Sequence, residues 1–303
     1  MLTPPPRLIH WLLIVILATV WGFGFYLIAI ALRSFPPLTL VALRVAFGAL
    51  TLIVVMRIKG LSLPREPQWW WCFSLLALLG NLLPFSLIAW AETTIPSSQA
   101  GLITALMPIS TMVLAHYFVA DERLTSRRAS GVLLGFFGVI VLLSAQTLEN
   151  IEGGSIWPQL ACVLATLSYA ANTVYIKRLP EINGLVAGTG SLIAGSFLLA
   201  PVALVVDQPW TLEISATSWI AVIALGAVAT GLATWVYFFI VNECGPNFLS
   251  LINYIIPAIS FAAGIILLSE PASLAQALGL ILICVGVAIS QSRNREKPQA
   301  GVR

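Results

Sequence analysis

Charge is what this sequence has least of. Only 9% of its 303 residues are Asp, Glu, Lys or Arg, against about 25% in an ordinary soluble domain. That excludes a soluble enzyme of this size, because there is too little charge to cover its surface. Histidine occurs twice, and there is no H-E-x-x-H, no G-x-S-x-G, no phosphate-binding loop and no acidic cluster suited to Mg²⁺. An intramembrane enzyme or an ATP-driven pump needs such a constellation, so no catalytic residue, cofactor or nucleic-acid partner is implied. The four cysteines, Cys72, Cys162, Cys244 and Cys284, show no C-x-x-C spacing and lie within or at the ends of apolar runs. They read as small packing residues rather than disulfide partners or zinc ligands. No acid falls in the middle of an apolar run; Glu92 and Glu243 stand near the ends. Proton-coupled carriers usually rely on buried acids, so this absence points to flux down a gradient, or to coupling through an interfacial group.

What is present is hydrocarbon. Residues of the apolar class make up 59% of the chain, and its mean hydropathy is +0.97. Ten apolar runs can be bounded by charges, prolines and glycines, at about 11–32, 37–56, 69–90, 96–119, 128–145, 157–176, 185–206, 218–240, 246–268 and 273–291. Each is long enough to cross a bilayer. The expected fold is therefore all-α, a polytopic membrane protein with short loops. The first run contains Ala29-Ile30-Ala31, which imitates a signal-peptide cleavage site, but it is longer than a typical signal core and reads as a retained span. Thirteen of the fifteen basic residues fall in loops on the side of the N-terminus, leaving Arg33 on the opposite side and Arg44 inside a span. By the positive-inside rule both termini are expected in the cytoplasm.

The chain also matches itself. At an offset of about 147 residues Leu17-Ala18-Thr19 meets Leu164-Ala165-Thr166 and Gly48 meets Gly195. With small gaps Trp90 meets Trp235, Pro108 meets Pro257, Glu122 meets Glu270, Gly131 meets Gly279 and Gly138 meets Gly286. Matches among Leu, Ala and Val are cheap, whereas Pro, Trp, Glu and Gly in one order are not. The expected units are residues 1–148 and 149–303, five spans each. An odd number inverts the second unit in the membrane, giving inverted repeats around a central cavity, a design that recurs in carriers working by alternating access.

The pattern resembles the drug/metabolite transporter superfamily, in its ten-span EamA branch. Trp21-Gly22, Pro37 followed by Arg44, and Pro108 followed by Asp121-Glu122, Gly131 and Gly138 carry the likeness, with Pro257, Glu270, Gly279 and Gly286 matching in the second half. Within the branch the chain is similar to aromatic amino acid exporters. The resemblance implies export of amino acids or similar small metabolites across the inner membrane, through a cavity between the halves. The expected partners are a small-molecule substrate and membrane lipids.

Polar and aromatic residues within spans mark a candidate lining, because an amide or hydroxyl in hydrocarbon needs a partner or water. In the first half these are Trp21, Phe25, Asn81, Thr104 and Thr111; in the second they are Ser168, Tyr169, Asn172, Thr234, Asn253 and Tyr254. For each, an inter-helix hydrogen bond or close packing is the plainer reading, and the two are compatible. Pro84, Pro108, Gly231 and Pro257 are expected pivots of gating helices, since proline removes a backbone hydrogen bond. Arg44 reads as a structural charge, with Glu270 or a substrate carboxylate as candidate partners. His116 reads as a packing or interfacial residue. The glycines from Gly131 to Gly138 and from Gly279 to Gly286 suit close packing within or between chains, which leaves the oligomeric state open.

Overall fold

The structure is a computed structural model that describes residues 6–119, 125–149 and 155–291. The Asp121-Glu122 pair and the basic C-terminal stretch from Arg293 lie outside the described residues. Those residues form helices and no strand. In chain order they are α1 (Leu8–Ala31), α2 (Pro37–Ile58), α3 (Pro67–Ala91), α4 (Ser97–Phe118) and α5 (Ser126–Glu149). The second half has α6 (Trp157–Ile176), α7 (Gly184–Asp207), α8 (Ala216–Gly245), α9 (Ile252–Leu268) and α10 (Leu274–Gln291). Seven of them, α1 to α4 and α6 to α8, are long and apolar enough to cross a membrane; α9 and most of α10 are shorter apolar helices. Large apolar side chains such as Ile16, Leu50, Val54, Leu133, Phe197, Val205 and Ile266 point outward. A helix apolar on every side belongs in hydrocarbon, and the chain is a multi-pass membrane protein.

The helices begin where the sequence supplies fixed φ and no needed donor. Pro36 and Pro37 open α2, Pro67 opens α3, and Pro96 precedes α4. Two of the connecting turns are built alike. The backbone N–H of Phe35 donates to the Ala31 carbonyl at 3.0 Å, and that of Ile95 donates to Ala91 at 2.9 Å. In each turn the apolar side chain tucks inward, Phe35 and Ile95 both being buried, and proline starts the next helix.

One boundary differs from expectation. The eighth apolar run continues helically to Gly245 rather than stopping near 240, and α9 starts at Ile252 rather than at 246. Gly245 has φ +80°, a conformation that suits glycine, and the next residue, Pro246, has no N–H to continue the ladder. The chain then tightens, with Leu251, Asn253 and Tyr254 each donating to the carbonyl three residues back.

Packing joins the halves more than it fills either one. α1 lies against α8 and α9, α2 against α7 and α8, α3 against α6 and α7, α4 against α6 and α9, and α5 against α10. Lipid tails offer no hydrophobic drive between helices, so close approach of backbones must hold them. The α5–α10 contact is the tightest case. A Cβ on Gly131 would stand 2.5 Å from the Gly286 carbonyl oxygen, and one on Gly286 would stand 2.6 Å from that of Gly131. Gly138 and Gly279 are related in the same way at 2.9 Å. Of the two roles open to these glycines, the structure uses them within the chain.

Two ends of the bundle can be told apart by their hydrogen bonds. At one, called the Glu270 end, the turns after α1, α3, α7 and α9 meet. At the other, called the Arg178 end, the C-termini of α4 and α6 meet.

Candidate functional site

Helices α3, α4 and α8 are interrupted, and each interruption has a cause. In α3 the segment Leu78–Leu82 widens to π geometry just before Pro84, whose ring cannot sit over an ordinary turn. Widening leaves backbone carbonyls short of donors. The Ser168 hydroxyl of α6 donates to one of them, Leu79 O, at 2.8 Å. In α8 a longer π segment spans Ala224–Leu232 and contains Gly226 and Gly231. Both glycines are pressed against α2: a Cβ on Gly226 would meet the Arg44 carbonyl at 2.8 Å, and one on Gly231 would meet Thr51 at 2.6 Å. Here the Trp21 indole N–H of α1 donates to Ala229 O at 2.9 Å.

In α4 the irregularity is a tightening. Thr104–Leu106 is 3₁₀ immediately before Met107 and Pro108. The Thr104 hydroxyl donates to Gly101 O at 2.6 Å, and Thr111 donates to Met107 O at 2.8 Å. Pro257 lies inside α9, where the Ser260 hydroxyl donates to its carbonyl at 2.9 Å. All four proposed pivots therefore sit in or beside a departure from regular α geometry or at an interior proline.

Arg44 lies buried in α2, and among the described residues no carboxylate is in ion-pair range of it. Its Nε donates to Thr230 Oγ1 of α8 at 3.0 Å, and its guanidinium carbon stands 3.6 Å from the centroid of the Phe85 ring of α3. Phe85 in turn meets Tyr169 of α6 edge-on, with centroids 6.4 Å apart. A cation over an aromatic face is attracted by the ring quadrupole. A guanidinium carries five N–H donors, and a single hydrogen bond to protein uses one of them. The arrangement can therefore receive a carboxylate or carbonyl oxygen beside two aromatic rings.

Glu270, expected as a candidate partner for Arg44, is engaged elsewhere. Its Oε1 accepts from Ser97 N and Ser97 Oγ, each at 2.8 Å, and its Oε2 accepts from Ser98 N at 2.9 Å. This is a charged cap on the first turn of α4, where unpaired N–H groups and the helix dipole favour an anion. Asp207 does the same for α2, its Oδ2 accepting from Thr39 N at 2.7 Å and from Thr39 Oγ1 at 2.8 Å.

The other candidates fall into smaller groups. Trp21 is 5.9 Å from Tyr237 by ring centroids, and Thr234 lies one helical turn before Phe238, facing Gly188 of α7. Phe25 is buried against Gly101, and Asn172 covers Gly80 of the α3 interruption. Asn172 Oδ1 is buried without a hydrogen-bond partner. Asn81 and Asn253 are half-buried, and Tyr254 packs on the main apolar core. Two contributors escape a sequence reading: Phe85 and Tyr237. Phe85 directly follows Pro84, and Tyr237 is four positions from Ala233 at the end of the other interruption. Adjacency to a helix break is the signal that could have found them.

Glu92 terminates α3, and both of its carboxylate oxygens are buried without a hydrogen-bond partner. Burial pushes its carboxyl well above the usual carboxylate range; the Glu270 charge adds to the shift, and Arg44 opposes it. A raised folded-state value means that the protonated form is the stable one in the fold. Its stabilisation is complete below the ordinary carboxylate range and is lost as pH rises through the raised value. Among the described residues no three His, Cys, Asp or Glu side chains gather as a metal site would require.

A bundle of long apolar helices interrupted in α3, α4 and α8, with Arg44 buried beside aromatic rings where α2, α3 and α8 meet, has the architecture of a multi-pass membrane protein. The EamA-like transporter family matches residues 8–144 and again residues 156–291, and the chain belongs to that family. It is 22% identical to the uncharacterized transporter YoaV of Bacillus subtilis, over 90% of this chain and 94% of that protein. It is 24% identical to the uncharacterized inner membrane transporter YedA of Escherichia coli K12, over 88% of this chain and 86% of that protein. It is 27% identical to the aromatic amino acid exporter YddG of Ancylobacter novellus, over 84% and 88%. One solved crystal structure shares the fold with a TM-score of 0.65 at 23% identity, covering 94% of this chain and 98% of the other.

Proposed function

We propose that this EamA-family transporter exports amino acids, aromatic or hydrophobic ones first, or similar small metabolites, by alternating access across the cytoplasmic membrane. In this reading the chain has ten spans in two inverted repeats, residues 1–148 and 149–303, around a central pathway. The observation that carries it is the reciprocal pair of broken helices. Ser168 donates to the interruption of α3, and Trp21 donates to that of α8. Trp21 and Ser168 stand 147 positions apart, the offset at which the sequence matches itself. The packing supports the same symmetry, since exchanging the halves turns α1–α9 into α6–α4, α2–α8 into α7–α3, and α1–α8 into α6–α3.

Two near-equivalent halves can exchange conformations and present one site to either side. Arg44, Phe85, Tyr169 and Thr230 would form that site with Asn81, Asn172 and Trp21, the guanidinium taking a carboxylate and the rings an apolar side chain. The name of one relative, an aromatic amino acid exporter, favours this class of substrate. Pro84, Pro108, Gly231 and Pro257 would serve as pivots, and α5 and α10 as a brace. The distribution of basic residues favours the Glu270 end outside and both termini inside.

Counterflow of labelled phenylalanine or tryptophan in proteoliposomes tests the transport reading, together with tolerance of overexpressing cells to toxic amino acid analogues. Absence of both across a broad amino acid panel would sink it. Replacing Pro108 and Pro257 with alanine should reduce counterflow more than it reduces the yield of folded protein. Normal transport by both variants would refute the pivots.

A further inference from the structure

The buried carboxylate of Glu92 has no use in the site just described. Neither of its oxygens touches solvent or a hydrogen-bond donor. Two neighbours in the first turn of α4 share the condition: Ser98 Oγ and both polar atoms of the Gln99 amide are buried without partners. An ionised carboxylate taken from water without a single donor is strongly disfavoured, whereas the protonated acid loses far less. The titratable groups facing Glu92 are Arg44 from α2, Cys162 from α6 and Glu270 beyond α9, with Tyr169 next to Arg44. Cys162 supplies no positive charge. Glu270 repels an ionised Glu92 and is itself held at the first turn of α4. Among the described residues Arg44 is the one attracting group, and it stands outside ion-pair range, with its Nε on Thr230 and its face on Phe85.

We propose that Glu92 is a proton-binding site that must be occupied for the Glu270 end to close. When this end is packed as it is here, the carboxyl carries a proton taken from water. When α4 separates from α9 and Glu92 meets water, the proton leaves and the carboxylate is solvated. Acidity on that side of the membrane then favours the closed end, and alkalinity favours the open one. The sequence pattern, with its acids near the ends of apolar runs, points to a carrier without buried acids; the fold nevertheless buries both oxygens of this one. The inference rests on the alternating-access reading, because a fixed bundle would have no open state.

The test places spin labels at Thr94→Cys and Ala272→Cys, two exposed positions on either side of the Glu270–Ser97 contact. With the four native cysteines replaced by serine or alanine, the inter-label distance is followed against pH in nanodiscs. The expected result is a short distance at low pH that lengthens as pH rises, with Glu92→Gln holding the short distance throughout. A wild-type distance that does not respond to pH overturns the proposal, as does the same response in Glu92→Gln. Should the glutamine variant fail to fold, the wild-type titration alone decides. Counterflow on the labelled protein separates the two claims: exchange with no pH-dependent distance change refutes the proton site and leaves transport standing. No exchange, with a distance fixed under all conditions, refutes both.

Discussion

The two ends of the bundle are fastened by opposite chemistry. At the Glu270 end, carboxylates from the second half seat on helix N-termini of the first, Asp207 on α2 and Glu270 on α4. Serines extend the seam: Ser34 Oγ and Ser215 Oγ lie 3.2 Å apart, and buried Ser218 donates to Ile30 O at 3.1 Å. At the Arg178 end the described fastenings are cationic. Arg178, an exposed residue, donates to the Phe118 carbonyl at the C-terminus of α4, and Lys59 lies 5.8 Å from the Trp235 ring. Each sign sits where the helix dipole favours it. The ends differ in burial: the Asp207 and Glu270 hydrogen bonds are part-buried and that of Arg178 is exposed. Acids whose hydrogen bonds are partly buried form short, ordered contacts, whereas exposed cations are screened and replaceable. In the alternating-access reading proposed above, the Glu270 end is the one that closes firmly and the Arg178 end the one that yields.

The largest effect should come from removing the cap on α4. Glu270→Ala leaves three donors of Ser97 and Ser98 unpaired and should cost about 3 kcal/mol of stability in detergent unfolding. The same measurement across pH should show wild-type stability falling as pH rises through the raised Glu92 value, with Glu92→Gln flattening that dependence. If Glu270→Ala unfolds like wild type, the contrast between the ends loses its main support. Asp207→Ala removes two donors' partner rather than three, so its cost should be smaller, about 2 kcal/mol.

Smaller still are the hydrogen bonds at the helix interruptions. Ser168→Ala and Trp21→Phe should each cost about 1 kcal/mol, because a carbonyl in a π segment can find water or a shifted backbone donor. Their value lies in the pairing. Two variants with matched losses, of stability and of counterflow alike, would sharpen the equivalence of the halves. A loss confined to one would break it.

Much of this molecule is legible in its sequence, for reasons that are local. Apolar runs and prolines are written residue by residue, so the helices, the family and the irregularities at Pro84, Pro108 and Pro257 can be read directly. The long-range partners cannot. Asp207 and Glu270 look like loop acids until the fold sets them on Thr39 and Ser97, residues 168 and 173 positions away. Trp21 has the composition of a stacking platform, yet its indole is occupied by Ala229 O. Glu92 stands near the end of an apolar run, the usual place for a hydrated charge, yet the fold buries both its oxygens without a donor. For Asp207, Glu270 and Trp21 the residue type is visible and the partner is supplied by the opposite half, which a one-dimensional pattern does not place.

The least expensive change should be at the Arg178 end. Arg178→Gln removes the donors to Phe118 O and a ring contact with its centroid 5.6 Å away. The side chain is exposed, so water and salt already compete for it, and exposed interactions of this kind contribute under about 1 kcal/mol. Unfolding should be nearly unchanged at physiological salt. Counterflow should respond more than stability does, because a weak latch at a yielding end acts on the balance of open and closed states rather than on the fold. A large stability loss in Arg178→Gln, comparable with that of Glu270→Ala, would show that this end is fastened as firmly as the other.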